Sequence, residues 1–341
     1  MALTKKGGRK MRKIKCLSLL LASMVGLMAL GCGNQNKNAG KQQAVKWPTK
    51  PVQVIVPFSA GGDTDYNART ISKYLEQKLG KPVVVSNVTG SGGAIAASRV
   101  KNAAPDGYTI LFTHASLNIA AACKTIDFTY KDFEMGGIIG RGLGDAIVVR
   151  GDSPWNTVQD MIKDTQANPG KYKMPVATGT TSHWAAIALQ NAGAKFNIID
   201  SGNSSDRIVS LLGGQVDAIA TGIPAVKDYL KTGQFKMLAT CTSERVKDYP
   251  NVPTLKENGV DIAYYCNYTM FFPKGTDPAI AKKLNAAVED IVHNNKQYQE
   301  EIKKTYLQEP YCANIEDSTK HWADEYDSLM KISDVLQGKK K

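Results

Sequence analysis

Twice near its beginning the chain runs a short apolar strand into a glycine turn and then into a helical pattern. Val52–Val56 leads into Pro57-Phe58-Ser59-Ala60-Gly61-Gly62-Asp63-Thr64-Asp65, and Val83-Val84-Val85 leads through Ser86-Asn87-Val88-Thr89 into Gly90-Ser91-Gly92-Gly93. A helix start exposes unpaired N–H groups and the positive end of the helix dipole. Glycine lets a ligand approach that backbone with no side chain in the way. On neighbouring parallel strands two such turns aim several donors at one point. An anion, and among anions a carboxylate, is the expected guest.

From 51 to 113 the pattern reads βαβαβ. Ala68, Ile71, Leu75 and Leu79 recur at helical spacing and stop at Gly80, a C-cap residue. Pro105-Asp106-Gly107 marks a turn before a strand over 108–112. Strands alternating with helices predict a parallel sheet with right-handed crossovers, and place both glycine turns at carboxyl ends of strands, where open α/β sheets bind ligands. A second α/β pattern follows from 153, with helices expected over 157–167, 206–212 and 225–230 and strands over 173–177, 196–199, 216–220 and 235–240. Extended crossings near 146–150 and 263–272 join the two patterns. Helices over 279–293, 296–306 and 318–335 close the chain, the first signalled by Thr276-Asp277-Pro278. The expectation is an α/β architecture of two domains joined by a two-strand hinge, with a ligand cleft between them that closes on its guest. Domain 1 is discontinuous, 47–148 with 270–341, and domain 2 is 149–269.

The N-terminus reads as a targeting segment. Lys5, Lys6, Arg9, Lys10, Arg12, Lys13 and Lys15 precede an uncharged apolar run over 16–30. This run is shorter than a membrane span and of secretory type. Met28-Ala29-Leu30-Gly31-Cys32 resembles a bacterial lipobox, with Ala29 where leucine is commonest. It predicts a lipoprotein signal peptide over 1–31, a lipid on Cys32 and a flexible tether over 32–46. An ordinary signal peptide cut near Gly31 and an uncleaved anchor are the alternatives, and Met11 is a second candidate start. The leader holds seven of the 43 Lys and Arg and none of the 31 Asp and Glu, so its removal lowers the net charge from +12 to +5. Without a basic helix or interleaved aromatics, that balance argues against a nucleic-acid partner.

Cys123, Cys241, Cys266 and Cys312 are too dispersed for a metal-binding pattern, and they either pair or stay as buried thiols. Neither metal nor cofactor is expected. No Gly-x-Ser-x-Gly elbow or phosphate-loop spacing points to an enzyme. Ser182 and His183 are adjacent, and neighbours on a helix do not face each other, so they do not form a nucleophile–base pair.

An ordered set of motifs then becomes specific. It comprises Trp47-Pro48, Val56-Pro57-Phe58, Gly61-Gly62-x-x-Asp65-x-x-Ala68-Arg69, Gly80-x-Pro82-Val83-Val84-Val85, Gly90-x-Gly92-Gly93 and Pro105-Asp106-Gly107-Tyr108-Thr109. It continues through Asn168-Pro169-Gly170-Lys171, Gly179-Thr180-x-Ser182-His183, Leu211-Leu212-Gly213-Gly214-Gln215-Val216-Asp217 and Asn251-Val252-Pro253-Thr254. Across 47–335 the chain resembles the tripartite tricarboxylate transporter substrate-binding proteins, also called the Bug family. The resemblance implies a periplasmic binding protein type II-like fold and a non-enzymatic extracytoplasmic receptor; the lipobox-like segment adds the expectation of a lipid anchor to the cell membrane, on its periplasmic or outer-surface side. Such receptors deliver small carboxylates to a permease of a large and a small membrane subunit. A ligand-sensing protein that signals to a membrane partner such as a sensor kinase is the alternative role. The ligand classes open to it are dicarboxylates, tricarboxylates, amino acids and aromatic acids.

The resemblance also assigns ligand-binding residues. Ser59, Ala60, Gly61, Gly62 and Asp65 come from the first turn, and Gly90, Ser91, Gly92 and Gly93 from the second. Domain 2 supplies Thr178, Gly179, Thr180, Thr181, Ser182 and His183, then Ser201, Gly202, Ser204 and Ser205. His114 and Ser116, just after the third strand, join the pocket. Asp65 serves as ligand contact, as helix cap, or as both. Arg69 is structural or salt-bridged to ligand, and the hydroxyls over 178–182 orient ligand or cap their helix. Departures from the family pattern fall at Ala60, Trp184, Ser201, Asn267 and Asp145. Asp145 stands where a small apolar residue or proline is usual. It either faces the cleft and pairs with a ligand amine, or is a solvated loop aspartate.

Overall fold

The computed structural model describes residues 45–339; the expected signal peptide, Cys32 and all but the last two residues of the expected tether lie outside the described residues. The first strand β1 (Val52–Val56) is followed by α1 (Asp63–Leu79), β2 (Val83–Asn87), α2 (Ala94–Lys101) and β3 (Thr109–Thr113). β-branched residues drive the strands, and Gly80 in the left-handed conformation ends α1 as expected. β1 pairs in parallel with both β2 and β3, so the two glycine turns leave adjacent strands at the same edge.

The next elements are α3 (Ser116–Ala122), β4 (Phe133–Gly142), β5 (Asp145–Arg150), α4 (Val158–Ala167), β6 (Lys173–Val176), α5 (Thr181–Asn191) and β7 (Asn197–Asp200). After them come α6 (Ser204–Leu212), β8 (Ala218–Gly222), α7 (Ile223–Lys231), β9 (Phe235–Thr240) and β10 (Cys266–Pro273). The chain closes with α8 (Pro278–Asn294), α9 (Lys296–Tyr306), α10 (Ile315–Lys331) and α11 (Ser333–Leu336). None of these helices is long and apolar enough to cross a membrane.

One sheet has the order β2-β1-β3-β10-β4, with β10 antiparallel to both neighbours. In the second set of strands β5 lies antiparallel between β8 and β9, and only β6 and β7 pair in parallel. β4 and α3 were not expected at all. Four glycines interrupt β4, and at Gly136 a Cβ would lie 2.8 Å from the Met270 carbonyl. Close approach to β10 demands the glycine, and the glycine hides the strand signal. The expected helix over 318–335 is broken at Ile332, where Ser333 Oγ turns to donate to the Ala122 carbonyl at 2.6 Å.

β5 belongs wholly to the second set of strands and β10 wholly to the first sheet, so the chain passes between them at 143–144 and again just before Cys266. The two passages touch: a Cβ on Gly144 would lie 2.5 Å from the Tyr264 carbonyl. Beneath the first sheet, Val54, Val56, Ile71, Leu75, Phe112 and Val288 are fully buried under α1 and α8. On its other face Trp322 of α10 packs edge-on against Phe271 at 4.7 Å and donates to Thr269 Oγ1 at 3.0 Å. One turn further along α10, the Glu325 side chain is only 12% exposed and accepts from Asn118 Nδ2 at 2.8 Å.

Burial pushes the Glu325 carboxyl up from 4.5 to about 7, against the pull of the Asn118 amide. Below about pH 4.5 both folded and unfolded chains hold this proton and the group costs nothing. As pH rises towards 7 the unfolded chain has released the proton that the folded chain still keeps, so the group erodes stability through that window. Glu325→Gln is therefore expected to gain stability over the parent between pH 4.5 and 7, with no gain below it. Urea midpoints measured across the range check this; a gain independent of pH would refute it.

Candidate functional site

The first turn is held from within. Asp65, on the first turn of α1, accepts from the Gly61 N–H at 2.9 Å, from Arg69 Nε at 3.0 Å and from Asn87 Nδ2 at 2.8 Å. Asn87 ends β2 and also donates to the Phe58 carbonyl at 2.9 Å, tying the first turn to the neighbouring strand. Burial alone would raise the Asp65 pKa, but the donors from Arg69, Gly61 and Asn87 outweigh it and hold the carboxyl below its ordinary value. The second turn has positive φ at Gly90, Ser91, Gly92 and Gly93 in succession, a path that its three glycines adopt without strain and that Ser91 follows in the left-handed region. At Gly92 a Cβ would lie 2.5 Å from the Thr178 carbonyl, so this turn meets the loop after β6 with no room for a side chain.

Facing the turns are the starts of α5, α6 and α7. Thr180 precedes α5 with its hydroxyl donated back to the Ala177 carbonyl, Asn203 caps α6 by accepting from the Asp206 N–H, and Gly222 precedes α7. Residues from both turns and from these three helix starts line one cavity of about 490 Å³. First-turn N–H groups have no partner within their own helix. Five helix entrances thus border the same space and bring the positive ends of their dipoles to it.

The model of the tripartite tricarboxylate transporter family receptor matches residues 67–336, most of the chain. This chain belongs to that family. It is 34% identical to the UPF0065 protein in the gbd 5′ region of Cupriavidus necator, over 80% of this chain and 83% of that one. Among solved structures it resembles R. palustris Rpa4515 with adipate, at TM-score 0.78 and 26% identity over 85% of this chain and 98% of that one. It also resembles the periplasmic binding protein BugD, at TM-score 0.75 and 28% identity over the same shares. The fold is that of the periplasmic binding proteins, as the residue motifs implied.

Most residues expected at the site do line the receptor's cavity. Ser59 and Gly62 come from the first turn and Gly90, Ser91, Gly92 and Gly93 from the second. His114 and Ser116 line the floor, and Thr178, Thr180, Thr181, Ser204 and Ser205 face them. Seven expected residues fall outside the lining. Ala60 and Gly61 turn to solvent, and the Gly61 N–H is already donated to Asp65. Asp65 itself is saturated by three donors and braces the turn. Gly179 packs towards Ala120 and Thr125, and Ser182 accepts the Ala177 N–H at 3.1 Å beneath the loop. Ser201 continues the β7 ladder by donating its N–H to the Val176 carbonyl. The His183 ring turns away from the cavity to Cys123 Sγ, 3.6 Å from Nδ1. Burial raises that thiol to about 11, so the pair contains no thiolate nucleophile. All four cysteines of the described residues are free.

Several lining residues were not anticipated, chiefly Asp63, Asp200 and Arg207. Asp145, left open between two readings, is buried at the cavity wall and accepts from the Tyr264 hydroxyl at 2.7 Å. Trp184 stacks on Tyr264 at 5.1 Å and fixes that hydroxyl, so two departures from the family pattern meet here. Asp63 accepts from the Tyr268 hydroxyl at 2.9 Å, and Asp200 from Thr178 Oγ1 at 2.7 Å. Arg207 could have been found from its position one turn after the Asn203 cap, on the face of α6 that carries Ser204. His114 stacks on Phe58 at 5.0 Å with Tyr268 edge-on at 6.2 Å. Burial lowers its pKa against the pull of Asp63 and Asp145, which leaves it a neutral hydrogen-bonding group.

Gly92→Val would place its Cβ against the Thr178 carbonyl at a backbone angle of +62°. We expect it to weaken every ligand alike by about 1–3 kcal/mol, the usual cost of overpacking a fitted contact. Titration calorimetry of parent and variant tests this, and unchanged affinity would refute the fit.

Proposed function

We propose that this chain is an extracytoplasmic solute receptor that captures a small carboxylate and passes it to a tripartite tricarboxylate-type permease of a large and a small membrane subunit. One observation carries the reading: five helix entrances, two of them glycine turns on adjacent parallel strands, open into one cavity. Family membership and the adipate named with the R. palustris relative agree with it. The carboxylate docks on the free amides of Ser91 and Gly92 and the first turn of α1. Thr178, Thr180, Thr181, Ser204 and Ser205 meet the remainder of the solute. Each amide-to-carboxylate bond is charge-assisted and contributes on the order of 1.5–3 kcal/mol net.

Two lobes close on the solute as a hinged clamp. The sheet memberships favour lobe boundaries near 143 and 265, each a few residues earlier in the chain than those expected from sequence. Cys32 carries the lipid that anchors the receptor outside the cell membrane, and the segment up to residue 46 is its tether.

A carboxylate panel screened by thermal shift against the full-length chain tests capture. A true ligand at about a hundred times its Kd adds about 2.7 kcal/mol to the folded state, a shift of several degrees. No shift with any carboxylate would refute the reading. Anchoring is tested separately by metabolic labelling with a radioactive fatty acid: the parent is expected to take up label and Cys32→Ser to take up none. Label retained in the variant would remove Cys32 from the account.

A further inference from the structure

The receptor reading leaves the chemical class of the solute open, and the charges on the cavity wall narrow it; the inference below rests on that reading. Asp63, Asp145, Asp200 and Arg207 all line the cavity. None of them takes part in an ion pair among the described residues. Asp65 differs, because Arg69 neutralises it outside the lining. His114 is neutral, and the Tyr264 and Tyr268 phenols, pushed well above their ordinary pKa by burial, supply hydroxyls but no charge. The wall therefore carries three carboxylates against one guanidinium.

Arg207 is 6% exposed. Its Nη1 donates to the Gly202 carbonyl at 3.1 Å and its Nη2 to Ser204 Oγ at 3.4 Å, while its buried Nε has no partner among the described residues. Among the described residues the Asp145 and Asp63 carboxylates accept only from neutral hydroxyls: Asp145 from Tyr264 and Thr181, Asp63 from Tyr268 and, at 3.5 Å, Thr64 Oγ1. Burying charges without opposite partners is costly, and a protein keeps them where something else completes the pair. Burial raises the Asp145 pKa further than the Tyr264 and Thr181 hydroxyls and the more distant Arg207 charge lower it, so its ionised form has no cation in direct contact among the described residues. A dicarboxylate with no positive group would bring two more negative charges to a wall already short of cations.

We propose that the solute is a zwitterion, an amino acid with an uncharged or cationic side chain, whose ammonium pairs with Asp145 and Asp63 and whose carboxylate takes Arg207 and the glycine-turn amides. The amine is then what this cavity selects, and the carboxylate is what the receptor fold holds in common. Trp184 and Tyr264 act as positioning residues, because they fix the Asp145 carboxylate without lining the cavity themselves.

Calorimetry on the full-length chain with matched solutes tests this. Each uncharged and basic L-amino acid is compared with its 2-hydroxy counterpart, which lacks only the ammonium, alongside malate, adipate and citrate. At least one amino acid is expected to bind about a hundredfold tighter than its counterpart and than the three amine-free acids. Asp145→Asn keeps the side-chain shape and an acceptor for Tyr264. It is expected to lower amino acid affinity about tenfold or more while leaving the 2-hydroxy acid unchanged or tighter. Equal or tighter binding of malate, adipate, citrate or the hydroxy acids would overturn the zwitterion assignment and leave the receptor reading intact. Binding of neither class would overturn both. The comparison within the parent chain needs no variant to fold.

Discussion

The parallel pairing of β1 with β2 is the contact on which the site depends. Val56 stands opposite Asn87, so the two strands end level and their turns begin side by side. Asn87 then serves both turns, as the end of one strand and as donor to Phe58 and Asp65 of the other. A slip of this register by one residue would turn the apolar side chains of β2 to the opposite face. It would also separate Asn87 from Asp65. Asp65 thus belongs to the frame: with its lone pairs taken by Gly61, Arg69 and Asn87, it holds the first turn in place.

The opposing wall is joined to this frame by contacts that tolerate no extra atoms. Gly92 meets the Thr178 carbonyl and Gly144 meets the Tyr264 carbonyl. Around them, Ile119 of α3, Ile187 of α5, Leu329 of α10 and Leu336 of α11 form one buried apolar cluster, so the C-terminal helices pack against elements on both sides of the cavity. The Cys123–His183 contact lies beside this cluster. A raised thiol pKa and a half-buried imidazole whose pKa burial lowers suit a packing contact, and the pair that superficially suggests catalysis contributes cohesion.

Charge at the site follows from the same geometry. Several helix entrances pointing into one enclosed space create a field that favours anions, and this also lets aspartates sit there at lower cost. Asp63 at the start of α1 and Asp145 beside Thr181 exploit that field. The result is a wall on which fixed dipoles and unpaired acids coexist, a combination that a solute bearing both signs of charge completes better than a plain anion.

Much of this was legible locally. The strands β1 and β9, the helix α9, the left-handed stop at Gly80, the Asp277-Pro278 helix start and the glycine turns follow from residue preference, spacing and capping, which act within a few residues and leave their mark on the chain. An ordered set of such marks was sufficient to indicate the family. β4 stayed hidden because the glycines that let it approach β10 erase strand propensity, and the antiparallel seating of β5 between β8 and β9 depends on partners that stand 68 or more residues away in the chain. The same non-local packing decided which polar groups remain free. Asp65 is consumed by Asn87 across a strand pair, His183 is drawn off by Cys123, and Asp145 is buried by Tyr264 and Trp184. Sequence alone could therefore determine that helix entrances would gather at one site. Only the tertiary structure decided which charges would be left unpaired beside it, because desolvation and partner geometry are properties of the assembled wall and of no single segment.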